Sequence, residues 1–151
     1  MYREDDMPRP LNAYAASKLE GEREVRRVLP DALVVRTNFI GVPATPGAGL
    51  ADWIATSVEA GTPIRGFDDV IFSPLLATTL ADQLFAMMDS DLTGLYHLSA
   101  RDSISKYDLA VSLARALGVS NAQIKRTAFA DSPFTVARPL DTRLREAHFS
   151  F

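Results

Sequence analysis

The chain has 151 residues, 47% of them hydrophobic and 23% charged, with a formal net charge of −3. This composition is ordinary for one globular domain, and the dispersed basic residues argue against a nucleic-acid partner. No apolar run has the length that spans a bilayer, and the absence of cysteine excludes disulfides and thiolate metal sites. Because residues 1–6 are acidic and polar rather than a signal sequence, we expect a cytoplasmic protein without a membrane partner.

The predicted elements alternate between helices and strands, and their bounds come from apolar periodicity and from capping or breaking residues. In chain order they begin with an extended segment over 1–11, a helix over 12–29, a buried strand over 32–38, a Pro- and Gly-rich loop over 41–49 and a helix over 50–60. Strands at 63–67 and 70–72, a helix over 78–88, a strand over 94–99, a helix over 106–117, a weak strand over 124–127 and a short helix over 141–147 follow.

This order of elements predicts an α/β architecture. The strand over 32–38 is a continuous apolar run that ends in polar residues, which is typical of a buried parallel strand whose carboxyl end opens onto a site. The sequence contains no internal repeat and no clear linker. We therefore expect residues 1–151 to form a single compact unit.

Tyr14 and Lys18 form the candidate catalytic pair of the chain. They lie four residues apart, so that on a helix their side chains stack on one face, one turn apart. An ammonium close to a phenol favours the phenolate, which makes such a pair a candidate for proton transfer. The bare spacing arises often by chance, so its surroundings decide how it is interpreted.

Four segments of the chain resemble the extended short-chain dehydrogenase/reductase family. Residues 10–22 are similar to its active-site helix, with a Pro, an Asn two before the Tyr and then Tyr-x-x-x-Lys; residues 35–41 resemble its next strand. Residues 72–98 resemble the substrate side of the dTDP-4-dehydrorhamnose reductase branch, and 137–144 resemble the Ala-Arg-Pro-x-(Asn/Asp)-(Ser/Thr)-x-Leu signature of that branch. The likeness covers nearly the whole chain, in the right order.

The resemblance implies roles for five residues. Tyr14 would exchange a proton with the substrate oxygen while hydride moves between a nicotinamide and carbon, and Lys18 would hydrogen-bond the nicotinamide ribose. Both would therefore be catalytic and cofactor-binding residues. Asn38, Ser73 and Arg138 would bind the substrate, a nucleotide sugar or a similar carbonyl compound, with Arg138 on a phosphate. In the alternative interpretation, Asn38 caps a strand end, Ser73 initiates a turn and Arg138 pairs with Asp141.

The family pattern also implies what this sequence lacks. A dinucleotide-binding half needs three closely spaced glycines after a strand. The segment 47–49 has two glycines and lacks the third. We expect the chain to be the C-terminal part of a Rossmann-like doubly wound fold, with residues 1–41 a remnant of the Rossmann core and 42–151 mostly a substrate-binding region. NAD(P) would belong to the full-length parent. The chain alone would bind no cofactor and would be inactive.

Two other functions stay open at this stage. The parent could be a nucleotide-sugar epimerase or dehydratase, or the chain could be a non-catalytic binding or regulatory protein that reuses the scaffold. No metal site is predicted, because His97 and His148 have no second ligand at a suitable spacing and are interpreted as structural. A homo-oligomer is compatible with the sequence.

Overall fold

The computed structural model describes residues 1–45 and 49–145. The helices are α1 (Ala13–Val28), α2 (Leu50–Glu59), α3 (Ala77–Met88) and α4 (Lys106–Ala116), with a short 3₁₀ helix at Phe129–Asp131. The strands are β1 (Leu33–Thr37), β2 (Phe39–Ile40), β3 (Ile64–Phe67), β4 (Ile71–Phe72), β5 (Leu75–Leu76), β6 (Gly94–Leu98), β7 (Ile104–Ser105) and β8 (Ile124–Thr127).

The strands form four two-stranded pairs. Three pairs are parallel (β1 with β6, β2 with β5, β3 with β8) and the pair of β4 with β7 is antiparallel. Parallel neighbours require crossover connections, and helices lie between the paired strands in the sequence, as α2 and α3 do between β1 and β6. The predicted α/β class is confirmed.

The core consists of two apolar clusters. One joins α2, β3, β4 and α4 through the buried residues Ile54, Val58, Ile64, Phe72, Leu109, Ala110 and Ala114. The other joins β5, α3 and β6 through Leu75, Leu80, Met87 and Leu98. Helix α4 approaches β3 so closely that a Cβ added at Gly66 would lie 2.8 Å from the Cα of Tyr107. Glycine is therefore required at this crossing.

Helix α1 begins where the sequence predicts but lies on the outside of the fold. Asn12 is its N-cap, because the Oδ1 of Asn12 accepts a 2.8 Å hydrogen bond from the backbone N of Ala15. The helix has no buried residue, and every residue of β1 is only half-buried. A bidentate ion pair of 2.8 and 2.6 Å between Arg36 of β1 and Glu22 of α1 joins the two elements.

The prediction of a short helix over 141–147 is wrong for residues 141–145, which the structure describes. Residues 141–145 are extended, because their backbone groups bind distant segments instead of one another. The N of Ile71 donates to the O of Leu140 and the N of Thr142 donates to the O of Ile71, while Leu144 forms a parallel bridge with Tyr2. Residues 146–147 lie outside the described part of the chain. The two-residue strands β2, β5 and β7 were not predicted.

Candidate functional site

Tyr14 and Lys18 lie together in the first two turns of α1. Tyr14 is 71% exposed, and the Nζ of Lys18 lies 5.5 Å from the centroid of the Tyr14 ring. The predicted proximity of the two side chains is confirmed. Neither the Lys18 ammonium nor the Tyr14 hydroxyl has an ion-pair or hydrogen-bond partner among the described residues, so both groups are available to a ligand.

A shallow cleft of about 270 Å³ opens beside this pair. Its lining includes the ion pair of Arg36 with Glu22, in which the hydrogen bond that Arg36 donates to Glu22 raises the pKa of the guanidinium above its ordinary value. Glu22 already neutralises Arg36, whereas Lys18 and Arg9 of the cleft lining have no ion-pair partner among the described residues. The cleft is lined by Pro8, Arg9, Pro10, Tyr14, Ala15, Lys18, Leu19, Glu22 and Arg36.

Residues 137–145, which we call the C-terminal strap, run past the candidate site residues and are fastened by polar side chains. The Nδ2 of Asn12 donates to the O of Ala137 (2.8 Å), and the Nδ2 of Asn38 donates to the O of Thr142 (2.8 Å). The Oγ of Ser73 accepts from the N of Leu144, and the Oγ of Ser99 donates to its O, both at 3.1 Å. The strap also exchanges backbone hydrogen bonds with Tyr2 and Ile71.

Asn38 and Ser73, predicted to bind substrate, both hold the strap. Asn38 follows β1, and its backbone O also accepts from the N of Leu75, so this residue joins a strand end to two other segments. Ser73 is 1% exposed, and the hydrogen bond from Leu144 occupies its hydroxyl. Ser73 is therefore buried against the strap, whereas Asn38 is half-buried just after β1.

Arg138 is exposed on an aromatic cluster. Its guanidinium lies 4.7 Å from the ring centroid of Phe134, which in turn stacks on Phe129 at 6.1 Å. The alternative pairing of Arg138 with Asp141 is wrong, because Asp141 makes a bidentate ion pair with Arg143 at 2.9 and 2.6 Å. That hydrogen bond lowers the pKa of the Asp141 carboxyl. No described carboxylate pairs with Arg138, so its charge is free to meet an anion.

His97 is fully buried in β6 beside the strap. Its backbone N donates to the Oε1 of Glu4 (3.1 Å), and its Nδ1 lies 3.3 Å from the O of Arg145. These contacts agree with a structural role, while His148 lies outside the described residues. Across residues 1–45 and 49–145, no group of three His, Cys, Asp or Glu is placed to hold a metal ion. No helix of that part of the chain is long and apolar enough to cross a membrane.

Sequence reasoning missed the strap and the link through Asn12. Short polar side chains at positions 38, 73 and 99, each at or just after a strand, were the available signal. Positions 38 and 73 were assigned to the substrate on the family resemblance, and position 99 was given no role. The structure shows that a second chain segment occupies much of this edge instead.

Comparison with known proteins gives a family and a fold. The family model described as "RmlD substrate binding domain" matches residues 1–150. A probable low-salt glycan biosynthesis reductase of Haloferax volcanii is 30% identical over 91% of this chain and 47% of its own length. The dTDP-4-dehydrorhamnose reductase of Escherichia coli is also 30% identical, over 97% of this chain and 52% of its own length.

A solved structure shares the fold at lower identity. The dTDP-4-dehydrorhamnose reductase of Bacillus anthracis, crystallised in complex with NADP, superposes with a TM-score of 0.87 at 23% identity, over 97% of this chain and 51% of the other. The chain thus spans about half the length of these relatives. Because the family model matches nearly every residue, the chain belongs to the RmlD substrate binding domain family.

Proposed function

We propose that this chain supplies the proton-transferring pair and the substrate-binding side of an NAD(P)-dependent reductase that acts on a nucleotide sugar. The observation that carries the proposal is the unpaired Tyr14–Lys18 couple on an open cleft, with an unpaired Arg138 attached to the same helix through Asn12. Family membership and the reductase names of the two relatives support it.

Tyr14 is the general acid of the proposed reaction. A carbonyl carbon that accepts hydride leaves negative charge on its oxygen, and the exposed phenol donates the proton which neutralises it. The Lys18 ammonium, one turn away, stabilises the phenolate that remains. Lys18 also presents three donors to the hydroxyls of a ribose.

The residues present fit the nicotinamide end of a dinucleotide and not its pyrophosphate. An open phenol and a free ammonium suit the ribose and the reacting ring, whereas the chain carries no closely spaced glycines after a strand that would cradle the phosphates. When bound, the cofactor supplies the hydride. We accordingly expect the 151 residues alone to bind NADPH weakly and to show no reductase activity.

Arg138 is the proposed phosphate ligand of the substrate. Stacking on Phe134 orients the guanidinium plane and leaves its N–H edge for two parallel bonds to phosphate oxygens. Asn38 supplies a polar group at the carboxyl end of β1, where ligands of α/β proteins commonly bind. Ser73 contributes indirectly, by fixing the strap that carries Arg138.

Calorimetric titration with thymidine diphosphate tests the substrate side. The wild-type chain should bind it, and Arg138→Ala should weaken binding by roughly 10- to 100-fold, which is the range for a charge-assisted hydrogen bond. Arg115→Ala is the matched control, because Arg115 is exposed in the last turn of α4, a helix that takes no part in the strap's hydrogen bonds described above. Equal affinities of the two variants, or no binding by the wild type, would contradict the proposal. Micromolar NADPH binding would contradict the expectation of weak cofactor affinity.

A further inference from the structure

Asn12 makes two hydrogen bonds that join distant parts of the candidate site. Its Oδ1 accepts from the N of Ala15 and caps the helix turn that carries Tyr14; its Nδ2 donates to the O of Ala137, 125 residues away. The carbonyl of Ala137 belongs to the peptide unit that also contains the backbone N of Arg138. One amide side chain therefore connects the start of the Tyr14 helix with the backbone of Arg138.

We propose that Asn12 is a positioning residue that holds Arg138 at a fixed distance from Tyr14, so that a ligand bound through its phosphate at Arg138 presents its reacting carbon to the phenol. The inference rests on the proposed function and adds to it a residue that touches neither ligand nor cofactor. Small errors in such placement slow catalysis strongly, since a displacement of about 1 Å can reduce the catalytic rate by about 100-fold.

Helix capping alone does not explain an asparagine here. An N-cap needs only an oxygen acceptor, which Ser, Thr or Asp provides as well as Asn. Asn adds an NH₂ donor on the same planar group, and in this structure that donor bonds Ala137. The acceptor orients the helix and the donor orients the strap.

The rest of the strap does not depend on Asn12. Asn38, Ser73 and Ser99 fasten residues 142–144, and backbone hydrogen bonds to Tyr2 and Ile71 hold residues 140–145. Loss of the Asn12 donor therefore frees the beginning of the strap, where Arg138 lies, and leaves its end in place. The expected effect is a displaced Arg138 on an intact fold.

Two substitutions remove the donor and keep the cap. Asn12→Ser retains an N-cap oxygen without a change of charge, but its side chain is too short to reach Ala137. Asn12→Asp also retains the acceptor and replaces the donor by an oxygen that repels the Ala137 carbonyl. Asn121→Asp is the control for charge, because Asn121 is an exposed residue between α4 and β8.

Affinity for thymidine diphosphate and hydrogen exchange are the readouts. We expect Asn12→Ser and Asn12→Asp to weaken binding about tenfold, as the loss of one hydrogen bond allows, with an unfolding midpoint close to that of the wild type. Deuterium uptake should rise in a peptide covering 133–139 and stay unchanged in one covering 140–145. In an Arg138→Ala background, Asn12→Ser should have no further effect on affinity, which a merely structural role would not produce.

The outcomes separate this inference from the proposed function. If the wild type binds thymidine diphosphate and Asn12→Ser binds equally well, the positioning role is wrong while the proposed function stands. If only Asn12→Asp weakens binding, charge repulsion explains the loss and the positioning role is again wrong. If the wild type does not bind thymidine diphosphate at all, the proposed function and the positioning role are both wrong, because Asn12 then has no ligand to position.

Discussion

Lys106 is a half-buried cation whose removal should stabilise the protein. Its Nζ lies 3.2 Å from the ring centroid of Phe72, a residue that is 4% exposed in the core. Burial lowers the pKa of Lys106 to about 8 from the ordinary value of 10.5. No carboxylate among the described residues forms an ion pair with it, and the neighbouring Asp108 accepts a hydrogen bond from Ser105.

The sign of the effect follows from proton linkage. Between pH 8 and 10.5 the unfolded chain keeps the proton on Lys106 while the folded chain loses it, so the free energy of unfolding rises with pH across this window. The pKa difference corresponds to roughly 3 kcal/mol for a fully desolvated amine. Because the amine is partly solvated and the Phe72 ring attracts the cation, we expect about 1–2 kcal/mol.

Urea unfolding at pH 7 and pH 10 measures this contribution. Lys106→Met keeps the length and apolar character of the side chain without its charge, and should be about 1–2 kcal/mol more stable than the wild type at pH 7 and nearly equal to it at pH 10. Lys125→Met, on the exposed side of β8, controls for net charge. The same difference between Lys106→Met and wild type at both pH values would refute the reasoning.

Two further predictions concern the α4–β3 crossing and the candidate acid. Gly66→Ala should lower the free energy of unfolding by about 1–3 kcal/mol, because its methyl group would meet the Tyr107 backbone. The matched substitution Gly21→Ala, at a position in α1 with open space around it, should instead raise the free energy of unfolding by about 0.5–1 kcal/mol. Urea unfolding measures both changes. An unchanged stability of Gly66→Ala would contradict the close packing at Gly66. When this chain replaces the matched part of the E. coli dTDP-4-dehydrorhamnose reductase, Tyr14→Phe should reduce kcat for dTDP-4-dehydrorhamnose by about 10²- to 10⁴-fold, whereas Tyr2→Phe should not. An inactive fusion with an intact Tyr14 would favour a non-catalytic binding protein.

Local signals predicted the parts of the fold whose causes are local. Helix α1 follows from Asn12 as N-cap and Pro30 as terminator, and strand β1 from an unbroken apolar run. The proximity of Tyr14 and Lys18 was predictable because a helix fixes the spacing of residues four apart.

The remainder depends on partners far away in the sequence. Two-residue strands such as β2 and β5 carry no periodicity, and they exist because Asn38 and Leu75 bring them side by side. Residues 141–145 were predicted to begin a short helix, but tertiary hydrogen bonds to Tyr2, Ile71 and Ser73 select an extended backbone. The hydrogen bond from Asn12 to Ala137 joins residues 125 apart in the sequence, and no local sequence pattern predicts it.

The bridge between Tyr2 and Leu144 has a consequence for folding kinetics. It closes a loop of about 140 residues, and such contacts form only after the intervening chain has become compact. Residues 137–139 at the start of the strap are exposed, and the hydrogen bond that fastens them, from Asn12 to Ala137, is itself exposed, which is typical of segments that open locally without global unfolding. We therefore expect the start of the strap to dock last and to open first. The lifetime of that docked state would set how long Arg138 and the Tyr14 helix stay aligned.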